Sequence, residues 1–272
     1  MVRILRSAWR LQCFRAVYRR KYPVGVRIRS MVGVRIGGLS AMNLNRAIDI
    51  LDYGLCRVGL KRFAKWEDAL ASRPARLYAG KLRRGLPQFE THWGITPYYA
   101  SSKNIWFDAT KPYPIPDNSI DVYQSEDVFE HIEQDAIVGI VDEVHRILKP
   151  GGLFRLSLPD YNFDVYRDRT ERAPDGTFLF DALGGGRLEN GKVVDGGHLW
   201  FPTIDIVRDM FARSRFGTAG DVRFLQYNEP DGTTVVNPVD YSLGHIQRTA
   251  DHDARVKDRP RAVSIIVDAI KA

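Results

Sequence analysis

Cysteine is scarce, with only Cys13 and Cys56 in 272 residues. Two thiols cannot build a disulfide framework, so a stapled secreted miniprotein is excluded and a reducing, cytoplasmic setting is expected. Long apolar runs are missing too. None approaches the roughly 18 uncharged residues that span a bilayer, so no transmembrane helix is expected. There are no internal repeats, and no acid precedes Asp49. What remains is ordinary: 44% hydrophobic and 27% charged residues suit a folded globular chain rather than a disordered one. The length allows one large domain, or one domain with an appendage.

Charge divides the chain. Residues 1–76 carry 17 Lys and Arg against 4 acids, and the remainder carries 23 against 29. A basic appendage of residues 1–75, partly helical, followed by a mildly acidic domain of residues 76–272, is the expected organisation. Ile4, Ala8, Leu11 and Tyr18 lie near one helical stripe with Arg3, Arg6 and Arg10 beside it. A solvated tail, a helix on an anionic membrane surface and a targeting segment all fit that pattern. Nucleic acid is not an expected partner, because no recognisable binding module accompanies the charge.

Periodicity supplies the elements. Leu44, Ile48, Leu51, Leu55 and Val58 mark a helix within residues 43–71. Short strands are expected at 76–80, 92–96, 104–107 and 120–125. Ile137, Ile140, Val141, Val144 and Leu148 then mark the clearest helix, stopped by Lys149-Pro150-Gly151-Gly152. Strands follow at 153–158, 222–227 and 264–270, with a helix capped by Thr203 between them. Residues 161–200 read as a long polar insertion containing Gly184-Gly185-Gly186 and Gly196-Gly197. Strands alternating with helices argue for an α/β layered sheet.

The order of three motifs carries a resemblance. Asp108 to Val122 (DATKPYPIPDNSIDV) comes first, then Glu130-His131-Ile132, then Glu143 to Gly152 (EVHRILKPGG). Together with the strand to Leu158 and Pro159-Asp160, this resembles a class I S-adenosylmethionine-dependent methyltransferase of the type 11 domain group. Gly197-His198 and Phe201 resemble the substrate-side region of that group. The resemblance implies a Rossmann-like methyltransferase sheet with helices on both faces, and S-adenosylmethionine as cofactor. It implies a methyl acceptor of small-molecule or glycan-precursor type, modified at oxygen or nitrogen. A non-catalytic binding or scaffold module built on the same fold is the alternative reading.

Ligands of open α/β sheets bind outside the carboxyl ends of the strands. Cofactor contacts are therefore expected from Gly80, Asp108, Ala109, Glu126 and Asp127, with Asp108 beside the adenine by resemblance. Each has a plainer role open to it: a strand-ending turn for Gly80, a turn cap for Asp108, a helix cap for Glu126 or Asp127. The chain departs from the group at two points. One glycine stands where the group has a glycine run, and Thr96 stands where it has an acid for the ribose. An oxygen nucleophile needs a base, and the expected catalytic residues are His198 and Asp160. His131, His245 and His252 are read as packing or surface histidines. No metal is expected, since Asp251-His252-Asp253 lacks further ligands at a suitable spacing. If the basic start lies on a membrane, full-length protein should co-sediment with anionic vesicles at low salt and be released at high salt. Protein lacking residues 1–40 should not bind them.

Overall fold

The structure is a computed structural model that describes residues 41–251, 253 and 261–272. The basic stretch of residues 1–40 and His252 lie outside the described residues. The described residues all fall in one compact unit, positions 75 and 76 included. Helix α1 (Ala41–Arg57) and helix α2 (Trp66–Ala71) precede β1 (Arg76–Ala79), β2 (Trp93–Thr96), β3 (Asn104–Trp106) and β4 (Ile120–Glu126). Helix α3 (Gln134–Ile147) leads into β5 (Leu148–Pro159).

The expected polar insertion has structure of its own. It holds α4 (Asp164–Arg169) and two hairpins, β6 (Glu171–Arg172) with β7 (Phe178–Phe180) and β8 (Arg187–Glu189) with β9 (Lys192–Val194). Helices α5 (Ile204–Arg213) and α6 (Arg215–Ala219) follow, then β10 (Gly220–Asn228), β11 (Thr234–Val236) and β12 (Ser264–Lys271). Thr203 occupies the N-cap position of α5, but its side chain makes no cap hydrogen bond.

The eight-stranded sheet runs β11-β10-β12-β5-β4-β1-β2-β3. Strands β1 to β5 are parallel where they pair, and β12 is antiparallel to both β5 and β10. The strand order reverses between β1 and β4, which opens a crevice at their carboxyl ends. This is the α/β Rossmann-like fold expected from the sequence.

The two sheet faces differ in chemistry. Leu77, Tyr123, Phe154, Leu156, Ile265 and Val267 line one face and pack with residues of α3, α5 and α6 in the main core. Ala69, Ala75 and Trp66 join that core, Trp66 standing edge-on to Phe107 and Tyr113 at 5.1 and 5.8 Å. Residues 64–75 are therefore part of the folded domain. The opposite face carries Gln124, Arg155 and Asp268, which are in register across β4, β5 and β12. Short 3-10 turns at Pro87–Phe89 and Tyr241–Leu243, with the loop at 244–250, lie over this face. Helices α3, α5 and α6 thus cover the apolar face, while these 3-10 turns and the 244–250 loop meet the polar one.

Helix α1 docks by its polar side. Asp52 is buried and accepts from Lys61 Nζ and Ser102 Oγ, whereas Leu44, Leu51 and Val58 are exposed. The apolar spacing that marks the helix does not mark its buried face. No helix among the described residues is long and apolar enough to cross a membrane.

Arg155 is fully buried and forms a two-armed pair with Asp268, Nε to Oδ1 at 2.8 Å and Nη2 to Oδ2 at 2.6 Å. Removing one partner strands a buried charge, so Asp268→Ala should lose about 3–5 kcal/mol of unfolding free energy. Arg155→Met in the same chain should recover much of that loss in chemical denaturation. Additive losses would show that the pair does not act as a unit.

His92 is also fully buried, on the far side of Tyr78 from the main core. Burial, with Arg76 nearby, pushes its imidazole down to about 3. The folded state therefore resists a proton that the unfolded chain accepts near 6.5. The stability this neutral ring contributes is complete above about pH 6.5 and lost as the pH falls toward 3, at up to about 1.4 kcal/mol per unit. Denaturation profiles of the parent and His92→Phe should diverge in that window; parallel profiles would exclude His92 as the titrating group.

Candidate active site

Two groups of side chains gather at the carboxyl ends of the strands. The first belongs to β1, β3 and β4. Gly80 ends β1 with φ +124°, and its N–H donates to Ile95 O. A Cβ at Gly80 would lie 3.2 Å from Val128 Cγ2, so the bare backbone leaves room in the crevice that a side chain would fill. Asp108 is exposed just beyond β3, and its Oδ1 accepts from the Thr110 N–H and hydroxyl. Ala109 is half-buried beside it. The open backbone at Gly80 and the exposed carboxylate at Asp108 fit a ligand with an adenosine end and a charged amino-acid end.

Glu126 and Asp127, expected at the same site, are engaged by protein groups. Glu126 Oε1 accepts from Gln88 Nε2 at 2.9 Å and Gln124 Nε2 at 3.0 Å, and Oε2 accepts from Gln247 N at 2.9 Å. Burial pushes the Glu126 carboxyl up to about 7 despite these donors. Asp127 sits at φ +51° and pairs with Arg248 Nε at 2.9 Å. The two acids therefore seat the 245–248 loop at the end of β4.

The second group joins the 3-10 turn Phe129–His131 to the end of the insertion. Leu199 N donates to Glu130 O and Trp200 Nε1 to Phe129 O, which fixes residues 197–200 on that turn. His198 lands beside His131, ring centroids 4.8 Å apart at 73°. Gly184 lies against the His198 ring, where a Cβ would come within 2.8 Å of it. The glycine triplet here serves close approach. His198 Nδ1 is 2.5 Å from the Tyr161 hydroxyl, which donates to Asp181 Oδ2 at 2.9 Å. Asp181 is held in turn by Arg169 Nη2 at 2.6 Å. Burial and the neighbouring His131 push the His198 imidazole down to about 4, so it is neutral near pH 7. Glu130 is wholly buried, and burial drives its carboxyl well above the usual range.

Asp160 lies one residue before Tyr161 but faces elsewhere. It is fully buried, Oδ1 accepting from Asn162 N and Oδ2 from Asn228 N and Nδ2. Its carboxylate ties the end of β5 to the end of β10. His245 is placed beside Tyr241, 5.7 Å between ring centroids. Glu130, Tyr161 and Asp181 complete the His198 site. Glu130 is itself a motif residue and Tyr161 follows Asp160, but nothing in the spacing indicates Asp181 or Arg169.

Residues 99–156 match the model of a family described as "Methyltransferase domain", of type 11. No curated protein matches the chain. Among solved structures, an S-adenosylmethionine-dependent methyltransferase from Methanosarcina mazei is similar at 13% identity and a TM-score of 0.41. The match covers 76% of this chain and 97% of that one. A 1,6-didemethyltoxoflavin-N1-methyltransferase from Burkholderia thailandensis, solved with bound 1,6-didemethyltoxoflavin and S-adenosylhomocysteine, is similar at 11% identity and a TM-score of 0.40. That match covers 91% of this chain and 98% of the other. The matched segment runs from ahead of β3 through β4 and α3 into β5, so this part of the Rossmann-like sheet is similar to the type 11 methyltransferase domain.

Proposed function

We propose that this domain moves a methyl group from S-adenosylmethionine to an oxygen or nitrogen of a small molecule or glycan precursor. The observation that carries the reading is the Glu130, His131 and His198 cluster, built on the end of β4 and closed by the insertion. It stands beside the crevice where Gly80, Asp108 and Ala109 would hold the cofactor. When bound, the cofactor supplies a methyl group already activated on a sulfonium, so alignment is the main demand on the protein. Tyr161, held by Asp181, fixes the His198 ring. The insertion shields the acceptor side from water, and Asp160 braces the strand from which it departs.

A non-catalytic module is the second reading, favoured by one observation. Gln247 and Arg248 already occupy the Glu126 and Asp127 carboxylates at the crevice. Calorimetric titration separates the two. S-adenosylmethionine should bind with a dissociation constant near micromolar, and Asp108→Ala should weaken it by about 1–3 kcal/mol. Asp108→Asn, which keeps an acceptor for the Thr110 turn, distinguishes loss of the charge from loss of the turn. Absence of binding by the parent would favour the module, and equal binding by all three would remove Asp108 from the site.

A further inference from the structure

We propose that Glu130, His131 and His198 form a binding site for one divalent first-row transition cation, coordinated through Glu130 Oε1 and the two Nε2 atoms. The observation is a convergence of three side chains whose ligand atoms lie within 4.8 Å of one another. Glu130 is 0% exposed, and neither carboxylate oxygen has a hydrogen-bond partner. His131 Nε2 lies 3.8 Å from Oε1 and His198 Nε2 lies 3.7 Å from it. Both are too long for a hydrogen bond.

The protonation of each ring follows from its other nitrogen. His131 Nδ1 is 3.0 Å from Gly197 O, which can only accept, so Nδ1 carries the hydrogen. The single hydrogen of the Tyr161 hydroxyl goes to Asp181, which Arg169 keeps as an acceptor. The hydroxyl therefore accepts from His198 Nδ1–H. With Nδ1 engaged in each ring, Nε2 is the atom left toward the buried Glu130 carboxyl.

Two imidazole nitrogens and a buried carboxyl without a hydrogen-bond partner, converging on one point, are the donor set of a cation site. These atoms lie within 4.8 Å of one another, and an ion about 2.0–2.2 Å from each would satisfy all three once they draw together. Each histidine already has the outer partner typical of a metal ligand, a backbone carbonyl for His131 and the Tyr161–Asp181 chain for His198. Two imidazoles and one carboxylate favour a first-row transition ion over magnesium or calcium.

The site is not sealed. The His131 side chain is 29% exposed, against 10% for His198 and 0% for Glu130. The remaining coordination positions therefore open on the His131 side. There they suit a hydroxyl-bearing acceptor, an assignment that rests on the methyl-transfer reading and narrows its acceptor to oxygen. The ligands come from positions 130, 131 and 198, whereas the expectation of no metal was drawn from the run at 251–253.

The test uses untagged full-length protein stripped with chelator. Cobalt(II) should bind at one equivalent with the visible absorption of a nitrogen- and oxygen-ligated ion. Zinc should displace it, with a dissociation constant of micromolar or tighter, and should raise the melting temperature. Magnesium at the same concentration should do neither. Glu130→Gln and His198→Gln should each weaken zinc binding at least 100-fold, and Tyr161→Phe by about 10–100-fold. Stripped Glu130→Gln should melt no lower than the stripped parent, since its amide can donate to a bare Nε2. His131→Ala, at the partly exposed position, serves if the buried variants fail to fold. No stoichiometric cobalt or zinc binding by the parent at millimolar ion, or equal binding by parent and variants, overturns the site. S-adenosylmethionine titration of the same samples keeps the two readings apart. Metal binding without cofactor binding upholds the ion site and removes its role toward a methyl acceptor. Cofactor binding without metal binding leaves methyl transfer and removes the ion.

Discussion

The buried Arg155 guanidinium sets the arrangement of the polar half of this domain. Its two-armed bond to Asp268 joins β5 to β12, and its remaining Nη1 donates to the Asp240 and Gly244 carbonyls. Those carbonyls belong to the segment that lies over the polar sheet face. Once that segment is pinned, the His245 carbonyl meets the Gln88 and Gln124 amides, and Gln247 N–H meets Glu126. One buried cation thus organises a chain of acceptors that ends at the crevice. A buried charge demands complete compensation, so this half of the fold has little freedom to rearrange.

The opposite half obeys a simpler rule. Apolar side chains of β1, β4, β5 and β12 meet the apolar stripes of α3, α5 and α6. Burial of that surface is the dominant favourable contribution to folding. The polar network therefore specifies where loops lie more than it holds the sheet together.

This division explains what the sequence disclosed. Period-two and period-3.6 patterns belong to the apolar half, and β4, α3, β5, α5 and β12 were readable from residues such as Ile137, Val141 and Leu156. The polar face shows no such period. Gln88, Arg155 and Asp268 are far apart in sequence and look like surface residues until the sheet aligns them. Helix α1 shows the same limit, since its Leu44, Ile48 and Leu51 spacing marks the solvent side while Asp52 faces inward. In the candidate site, the motif residues Glu130, His131 and His198 were all in view. Their union depends on the Leu199 and Trp200 hydrogen bonds, which connect positions some seventy residues apart and leave no local pattern. The charges of Glu126, Asp127 and Asp160 were legible, but their partners at 228, 247 and 248 were not.

The docking of residues 197–200 constrains traffic through the domain. His198 is carried on the same strap of backbone that closes over the turn at 129–131. Lifting that strap would withdraw the imidazole along with the cover, so a raised cover and an assembled site are mutually exclusive states. On the proposed reading, an acceptor that meets the intact site comes past His131, whose side chain is 29% exposed, rather than from beneath the strap.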